Sequence, residues 1–313
     1  MNDQLVKFML GTGHVRGVLV RLDATWAELQ RRRNYPQAIS ALVGQMAAAS
    51  TLMAGSLKFD GALVLQIQGD GPLKLAVAEC QPDFGVRATA KMADDLPDDA
   101  ALPTDLAALV NLHGKGRCAI TLDPRNPESG LQPYQGIVAL TDPQGATLPS
   151  LAAMLEQYLA QSEQIDSVLM LASNEQTVCG LLLQRMPVAQ HAAEGAAQPE
   201  EDYARARHLA ATLTSEELLQ LAPEDILRRL FWEEEVRVFE PQSPRFHCTC
   251  SRERVAGMLR MLGRDEVEAI LAEQGEVDVR CEFCGQGYAF DAIDAAQVFL
   301  NTLTQPPVAS NRH

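Results

Sequence analysis

The stretch that decides the reading is FHCTCSRERV, Phe246 to Val255, taken with CEFCGQGYAFD, Cys281 to Asp291. One residue separates Cys248 from Cys250, two separate Cys281 from Cys284, and 30 residues lie between the pairs. Four of the seven cysteines therefore sit in two tight pairs near the C-terminus. Two such pairs deliver four sulfurs from two short loops, the donor set that a tetrahedral Zn²⁺ takes. The Cys-x-x-Cys-Gly knuckle suits that role, because Gly285 tolerates the positive φ that such turns need. Cys-x-Cys is rarer and forces a tighter loop. A module of about 60 residues builds little core, so a metal would supply much of its folding energy. His247 adjoins Cys248, but four cysteines already fill the ligand set.

Spacing leaves the role of this zinc open. Structural zinc is one reading and reactive zinc the other. Arg245, Arg252, Arg254 and Arg280 lie close in sequence and would keep the sulfurs ionised. If both pairs oxidised to disulfides, all four ligands would be lost together, and with them the fold the metal held.

The chain of 313 residues is long enough for two domains, and a 47% hydrophobic content supports a buried core. Its 41 acidic against 26 basic residues give a net charge of −15, which repels phosphate backbones and anionic membrane surfaces. Nucleic-acid and membrane partners are not expected. The N-terminal residues lack the charged and apolar regions of a secretory signal. The most apolar segment, Ile39 to Gly55, is interrupted by Ser40, Gln45, Ser50 and Thr51 and reads as a buried helix. A cytoplasmic protein is expected, in which paired cysteines are metal ligands or redox thiols rather than structural disulfides.

Residues 1–186 read as an α+β core domain. VRGVLVRLD (Val15–Asp23) has strand composition. A long Ala- and Leu-rich helix opens near Pro36. ALVLQIQGDGPLKLAVAEC alternates on both sides of Gly69-Asp70-Gly71-Pro72, a hairpin signal. Further strands are expected in GVRATAKM, GRCAITLD, YQGIVALTD, DSVLMLAS and TVCGLLLQRMP. Between them lies a helix with Leu151, Met154, Leu155 and Leu159 on one stripe. Strands interrupted by helices without regular alternation argue for α+β rather than a doubly wound sheet.

Residues 187–240 read as a loop (187–200) followed by an amphipathic helical linker. Leu218, Leu219, Ile226, Leu227, Leu230 and Phe231 recur at helical spacing. Thr214 and Glu217 fit a capping box, and Pro223 suits a first helical turn. From Pro199 to Glu240 eleven acids meet five arginines, a net of −6. The apolar stripe needs a partner surface, so the segment is only marginally stable by itself. Residues 241–300 form the cysteine module, with two short helices between the pairs and a strand on each side of the knuckle. Residues 301–313 read as a tail.

No catalytic constellation is legible, and no enzyme is expected. GTGHVRG (Gly11–Gly17) lacks a phosphate-loop register and reads as turn glycines. Cys80, Cys118 and Cys179 stand singly in strand-like segments and read as buried small hydrophobes. The histidines suggest no second metal site. A zinc-ribbon binding module would want a basic face, and a thiol–disulfide oxidoreductase would want Cys281-x-x-Cys284 at a helix N-terminus.

With these motifs in hand, the chain resembles the redox-regulated heat-shock protein 33 family, bacterial holdase chaperones. FHCTCSRERV, the 30-residue gap and CEFCGQGYAFD are similar to that family's zinc domain. RGVLVRLDATW, LVGQMAAASTLMAGSLKF, LQIQGDGPLKLAVAEC and LLLQRMP resemble its N-terminal domain, and LTSEELLQLAPEDILRRLFWEEEVRVFEP its linker. The resemblance implies one Zn²⁺ on Cys248, Cys250, Cys281 and Cys284 in the reduced form, with poor chaperone activity. It implies Cys248–Cys250 and Cys281–Cys284 disulfides on oxidation, loss of zinc, and unfolding of the zinc domain and linker. The freed apolar surface, with Leu218, Leu219, Ile226, Leu227, Leu230 and Phe231 as its candidate residues, would bind unfolding clients without ATP. Homodimerisation in the oxidised form is also implied. Some members carry a further cysteine near the position of Val255, which this chain lacks, and the 187–200 loop has no residue-by-residue match.

Overall fold

The computed structural model describes residues 3–11, 13–94, 96, 102–126, 130–187 and 199–300. It divides into two compact units, Met1–His247 and Cys248–His313. The loop expected over 187–200 falls outside the described residues except at its two ends, and the tail at 301–313 falls wholly outside them.

In the first unit, β1 (Gln4–Leu10) and β2 (Val15–Leu22) precede α1 (Ala24–Arg32) and α2 (Gln37–Ser56). Next come β3 (Gly61–Gln68), β4 (Leu73–Cys80), β5 (Gly85–Met92), α3 (Leu106–Val110), β6 (Arg117–Pro124) and β7 (Tyr134–Val138). Then follow α4 (Leu151–Gln161), β8 (Ser167–Ser173) and β9 (Val178–Arg185). The unit ends with α5 (Pro199–Ala210), α6 (Ser215–Gln220), α7 (Pro223–Phe231), β10 (Val236–Val238) and β11 (Arg245–Phe246). The strands make two sheets, β10-β1-β2-β9-β8 and β11-β5-β4-β3-β6-β7. The architecture is α+β.

Helix α2 is the centre of the larger core. It packs on β2 and β9 of one sheet and on β4 and β5 of the other. Ile39, Met46, Ala47, Ala48, Ala49 and Leu52 are fully buried there. By length and composition this helix could cross a membrane, yet 72% of its apolar window is buried inside the protein. Its apolar content is that of a helix covered by sheets on two sides.

The five-stranded sheet is apolar on both faces. Leu5, Val18, Val20, Leu22, Val178 and Leu182 face α2. Val6, Phe8, Leu10, Val15, Leu19, Cys179, Leu181 and Leu183 face the other way, where α5, α6 and α7 cover them. This explains why Gln4–Leu10, assigned no element from sequence, is a strand. Period-2 alternation vanishes when both faces are covered. Likewise α1 escapes a sequence reading because its N-terminus is held from afar. The Asp3 carboxylate accepts hydrogen bonds from the amides of Asp23, Ala24 and Thr25 at 2.6–2.8 Å.

Elsewhere local signals are realised directly. Gly69–Pro72 joins β3 to β4. Thr214 and Glu217 form the reciprocal capping box of α6, and Pro223 opens α7.

Gly17 in β2 lies opposite Phe8 in β1. The Phe8 ring lies across the space a side chain there would take, and a Cβ at Gly17 would stand 2.0 Å from its Cζ. On the linker side Phe231 stacks on Phe8, ring centroids 5.8 Å apart. Gly17→Val therefore displaces an aromatic stack although valine favours strands. We expect a stability loss of about 1–3 kcal/mol, read as a lowered Tm; an unchanged or raised Tm would contradict this packing.

Candidate metal centre

The second unit holds α8 (Arg252–Leu262), α9 (Arg264–Gln274), β12 (Val277–Arg280), β13 (Gly287–Phe290) and α10 (Ala292–Leu300). Its core is small: Leu259, Val267, Val277, Phe290, Ala295 and Val298 are its buried residues. So few apolar groups stabilise a fold weakly without a cross-link or a metal.

Cys248 and Cys250 lie in the extended segment before α8. The Ser251 hydroxyl caps that helix by accepting from the Arg254 amide, so the chain changes direction directly after Cys250. Cys281 and Cys284 occupy the turn between β12 and β13. There the Gly285 amide donates to the Cys281 carbonyl at 2.8 Å, and the Cys281 amide to Gln286 at 2.9 Å. Gly285 adopts φ +73°, a conformation that favours glycine.

The four sulfurs converge within 4.8 Å of one another. Cys248 Sγ lies 3.6 Å from Cys281 Sγ, and Cys250 Sγ lies 3.3 Å from Cys284 Sγ. These separations exceed the disulfide length of about 2.05 Å. They approach the ~3.8 Å edge of a tetrahedron whose four sulfurs each stand about 2.3 Å from a central ion. The donor set, four sulfurs in two short loops, fits a borderline or soft divalent metal.

Electrostatics support that fit. Burial and the neighbouring sulfurs of Cys250, Cys248 and Cys281 push the Cys284 thiol up to about 12. Without a cation, a thiolate at Cys284 is therefore disfavoured. A divalent cation reverses that sign. The Tyr288 hydroxyl donates to Cys250 Sγ at 3.1 Å and orients that sulfur. Tyr288 was not singled out from sequence. The signal was available, since Tyr288 and Phe290 share one face of a strand that follows the knuckle.

The arginines expected to keep the sulfurs ionised make other contacts. Arg252 pairs with Asp294 at 2.7 Å and lies 4.2 Å over the Phe290 ring. Arg254 donates to Thr249 Oγ1 at 2.7 Å, Arg280 lies 3.6 Å from Asp278, and Arg245 pairs with Asp83. His247 is engaged through its backbone, its amide donating to the Val86 carbonyl at 3.0 Å.

Among the stripe residues, Leu218, Ile226, Leu227, Leu230 and Phe231 are buried against the first unit's sheet, and Leu219 is partly buried beside them. A buried arginine ties the same segment down. Arg21 of β2 donates to the Leu219 carbonyl at 2.7 Å and pairs with Asp23 at 3.0 Å. His14 Nδ1 meets Asp202 of α5 at 2.9 Å.

The model of the family described as "Hsp33 protein" matches residues 3–291. The chain belongs to the Hsp33 family. It is 48% identical to the 33 kDa chaperonin of Chromobacterium violaceum, over 95% of this chain and 94% of that one. To the 33 kDa chaperonin of Methylobacillus flagellatus it is 42% identical, over 98% and 97% of the two chains. The crystal structure of the 33 kDa chaperonin, a heat-shock protein 33 homologue, from Thermotoga maritima shares the fold. Its TM-score is 0.78 at 21% identity, covering 97% of this chain and all of that one.

The other cysteines differ in kind from the clustered four. Cys80 and Cys118 are fully buried, and burial pushes each thiol up to about 12. Cys179 is buried too, with its thiol raised by the same cause. In the folded, reduced, chelator-treated protein we expect four thiols to react rapidly with a thiol reagent and three only after denaturation. A fifth rapid thiol would contradict the described burial.

Proposed function

We propose that this Hsp33-family protein is an ATP-independent holdase chaperone whose activity is switched on by oxidation of the four-cysteine centre. The carrying observation is the pairing of two weakly self-sufficient parts. A thiol cluster supports a unit with a small core, and the apolar linker stripe is hidden only while docked. In the reduced protein Cys248, Cys250, Cys281 and Cys284 would hold one Zn²⁺, which supplies the cross-link between the Cys248–Cys250 segment and the β12–β13 turn.

Oxidation removes the ligands. Each disulfide forms as two electrons leave a pair of metal-bound thiolates. A peroxide accepts the two electrons together with two protons from solvent, and its O–O bond breaks to give two waters. Disulfides Cys248–Cys250 and Cys281–Cys284 consume all four sulfurs. The two sulfur contacts given above run across the two loops, so this within-loop pairing rests on the family resemblance and on the short spacing. Loss of the cross-link unfolds the small unit and removes the C-terminal anchor of the linker. Leu218, Leu219, Ile226, Leu227, Leu230 and Phe231 then bind unfolding proteins as an exposed apolar surface. The net −6 of the linker keeps such complexes soluble. Homodimerisation of the oxidised form and a cytoplasmic location belong to the same reading.

Peroxide with mild heat should release about one Zn²⁺ per chain and, in the same sample, start suppressing the aggregation of a thermally unfolding test protein. An oxidised, zinc-free sample that suppresses nothing sinks the reading. Tryptic peptides should show Cys248 joined to Cys250 and Cys281 to Cys284. Zinc affinity should fall as pH falls, because protons compete for the thiolates.

Arg21→Ala offers a mutational test. It removes a buried donor from the linker carbonyls, a loss of about 1–3 kcal/mol in docking. The variant should hold clients at lower oxidant or lower temperature than the parent. If its activation threshold is unchanged, docking of this segment does not control activity.

A further inference from the structure

Between the linker helices and the cysteine centre runs a strap, Val236–His247, that closes an edge of each sheet in turn. Its first part, β10, is antiparallel to the outer edge of β1, with Val236 opposite Leu10 and Val238 opposite Phe8. The pairing continues as isolated contacts. The Phe239 amide donates to the Lys7 carbonyl, and Leu5 and Gln242 exchange two hydrogen bonds at 2.8 and 2.9 Å. The Gly11 amide donates to Glu235 at 2.8 Å. The second part, β11, lies parallel to β5, where the amides of Arg245 and His247 donate to the carbonyls of Phe84 and Val86. The next residue is Cys248.

The strap is a poor strand on good edges. β10 has three residues and β11 two, whereas β1 has seven and β5 eight. Pro241 and Pro244 interrupt it and offer no amide hydrogen. Val238 and Phe239 are exposed. If the strap lifts, the Leu5 and Gly11 amides and the Leu5 and Lys7 carbonyls along β1, and the Phe84 and Val86 carbonyls at the start of β5, lose their partners together. Such rows are templates for a further strand.

The geometry points to a second client-binding site: the edges of β1 and β5, vacated by the strap, take an extended segment of an unfolding polypeptide by β-strand addition. This inference rests on the oxidative release proposed above. The occupant is argued from the strap, which is itself an extended segment bound through its backbone. Recognition through main-chain amides ignores side-chain sequence, as a binder of diverse unfolded chains requires. The apolar stripe would supply hydrophobic contact, and the sheet edges would supply direction and register.

Amide hydrogen exchange on the full-length protein tests this, with reduced, carboxymethylated α-lactalbumin as a permanently unfolded probe. The Leu5 and Gly11 amides should be protected in the reduced, zinc-bound protein. They should exchange after oxidation and regain protection when the probe binds. In a companion assay an extended Val/Thr peptide should bind the oxidised protein at least about tenfold more tightly than the same peptide N-methylated at alternate residues, the loss of a few backbone hydrogen bonds. Several results overturn the inference. The probe may bind by fluorescence anisotropy while Leu5 and Gly11 stay unprotected, or both peptides may bind equally; holdase function then stands without edge capture. Amides that stay protected through oxidation show that the strap never lifts. Reprotection without probe that grows with protein concentration assigns the edges to a second copy of this chain. No probe binding at all removes the holdase reading and this inference together.

Discussion

Everything in the first unit depends on a sheet that cannot face water on either side. Leu5, Val18 and Leu182 turn inward to α2, while Phe8, Leu19 and Leu181 turn outward. A sheet with two apolar faces needs two covers. One cover, α2, is a continuous helix built of Ala, Leu and Met. The other is assembled from three short helices, α5 to α7, whose own sequence is heavily charged. Fully burying one leucine or phenylalanine is worth about 1.5–3 kcal/mol, so a handful of stripe residues supplies the docking energy of the whole segment.

That asymmetry between covers is what makes conditional exposure physically reasonable. The α2 cover joins the two sheets and cannot leave without destroying the core. The linker cover touches one face only. It is tied by a few polar contacts, Arg21 to the Leu219 carbonyl and His14 to Asp202 among them. A segment held this way has a free energy of opening well below that of the global fold. The cysteine unit adds a second weak link, since its core is small.

Much of this was legible in the sequence, for local reasons. The hairpin at Gly69–Pro72, the capping box of Thr214 and Glu217, and Pro223 at the start of α7 are short-range signals and appear where their residues sit. The four-cysteine cluster was legible because spacing alone constrains ligands. What sequence did not show was long-range. Asp3 caps α1 across 20 residues of chain. β1 lacks alternation because both its faces are covered. The strap is too short and too proline-rich to read as strands; its pairings with β1 and β5 exist only because those edges are there. The arginines near the cysteines also reach partners that sequence order does not show, Asp294, Thr249, Asp278 and Asp83.

The three core thiols carry a consequence of their own. Cys80 and Cys118 sit in the core around α2, protonated and out of reach of solvent, whereas Cys179 lies under α5 to α7 and is hidden only while those helices are docked. Oxidative chemistry on a thiol needs the thiolate and needs access. On access alone, the clustered thiols stand ahead of Cys80 and Cys118 for any oxidant that meets the folded chain. Under the proposed switch, the core around α2 would therefore pass through oxidation with its thiols intact. Under that switch, reversibility would rest on the burial of two residues that take no part in it.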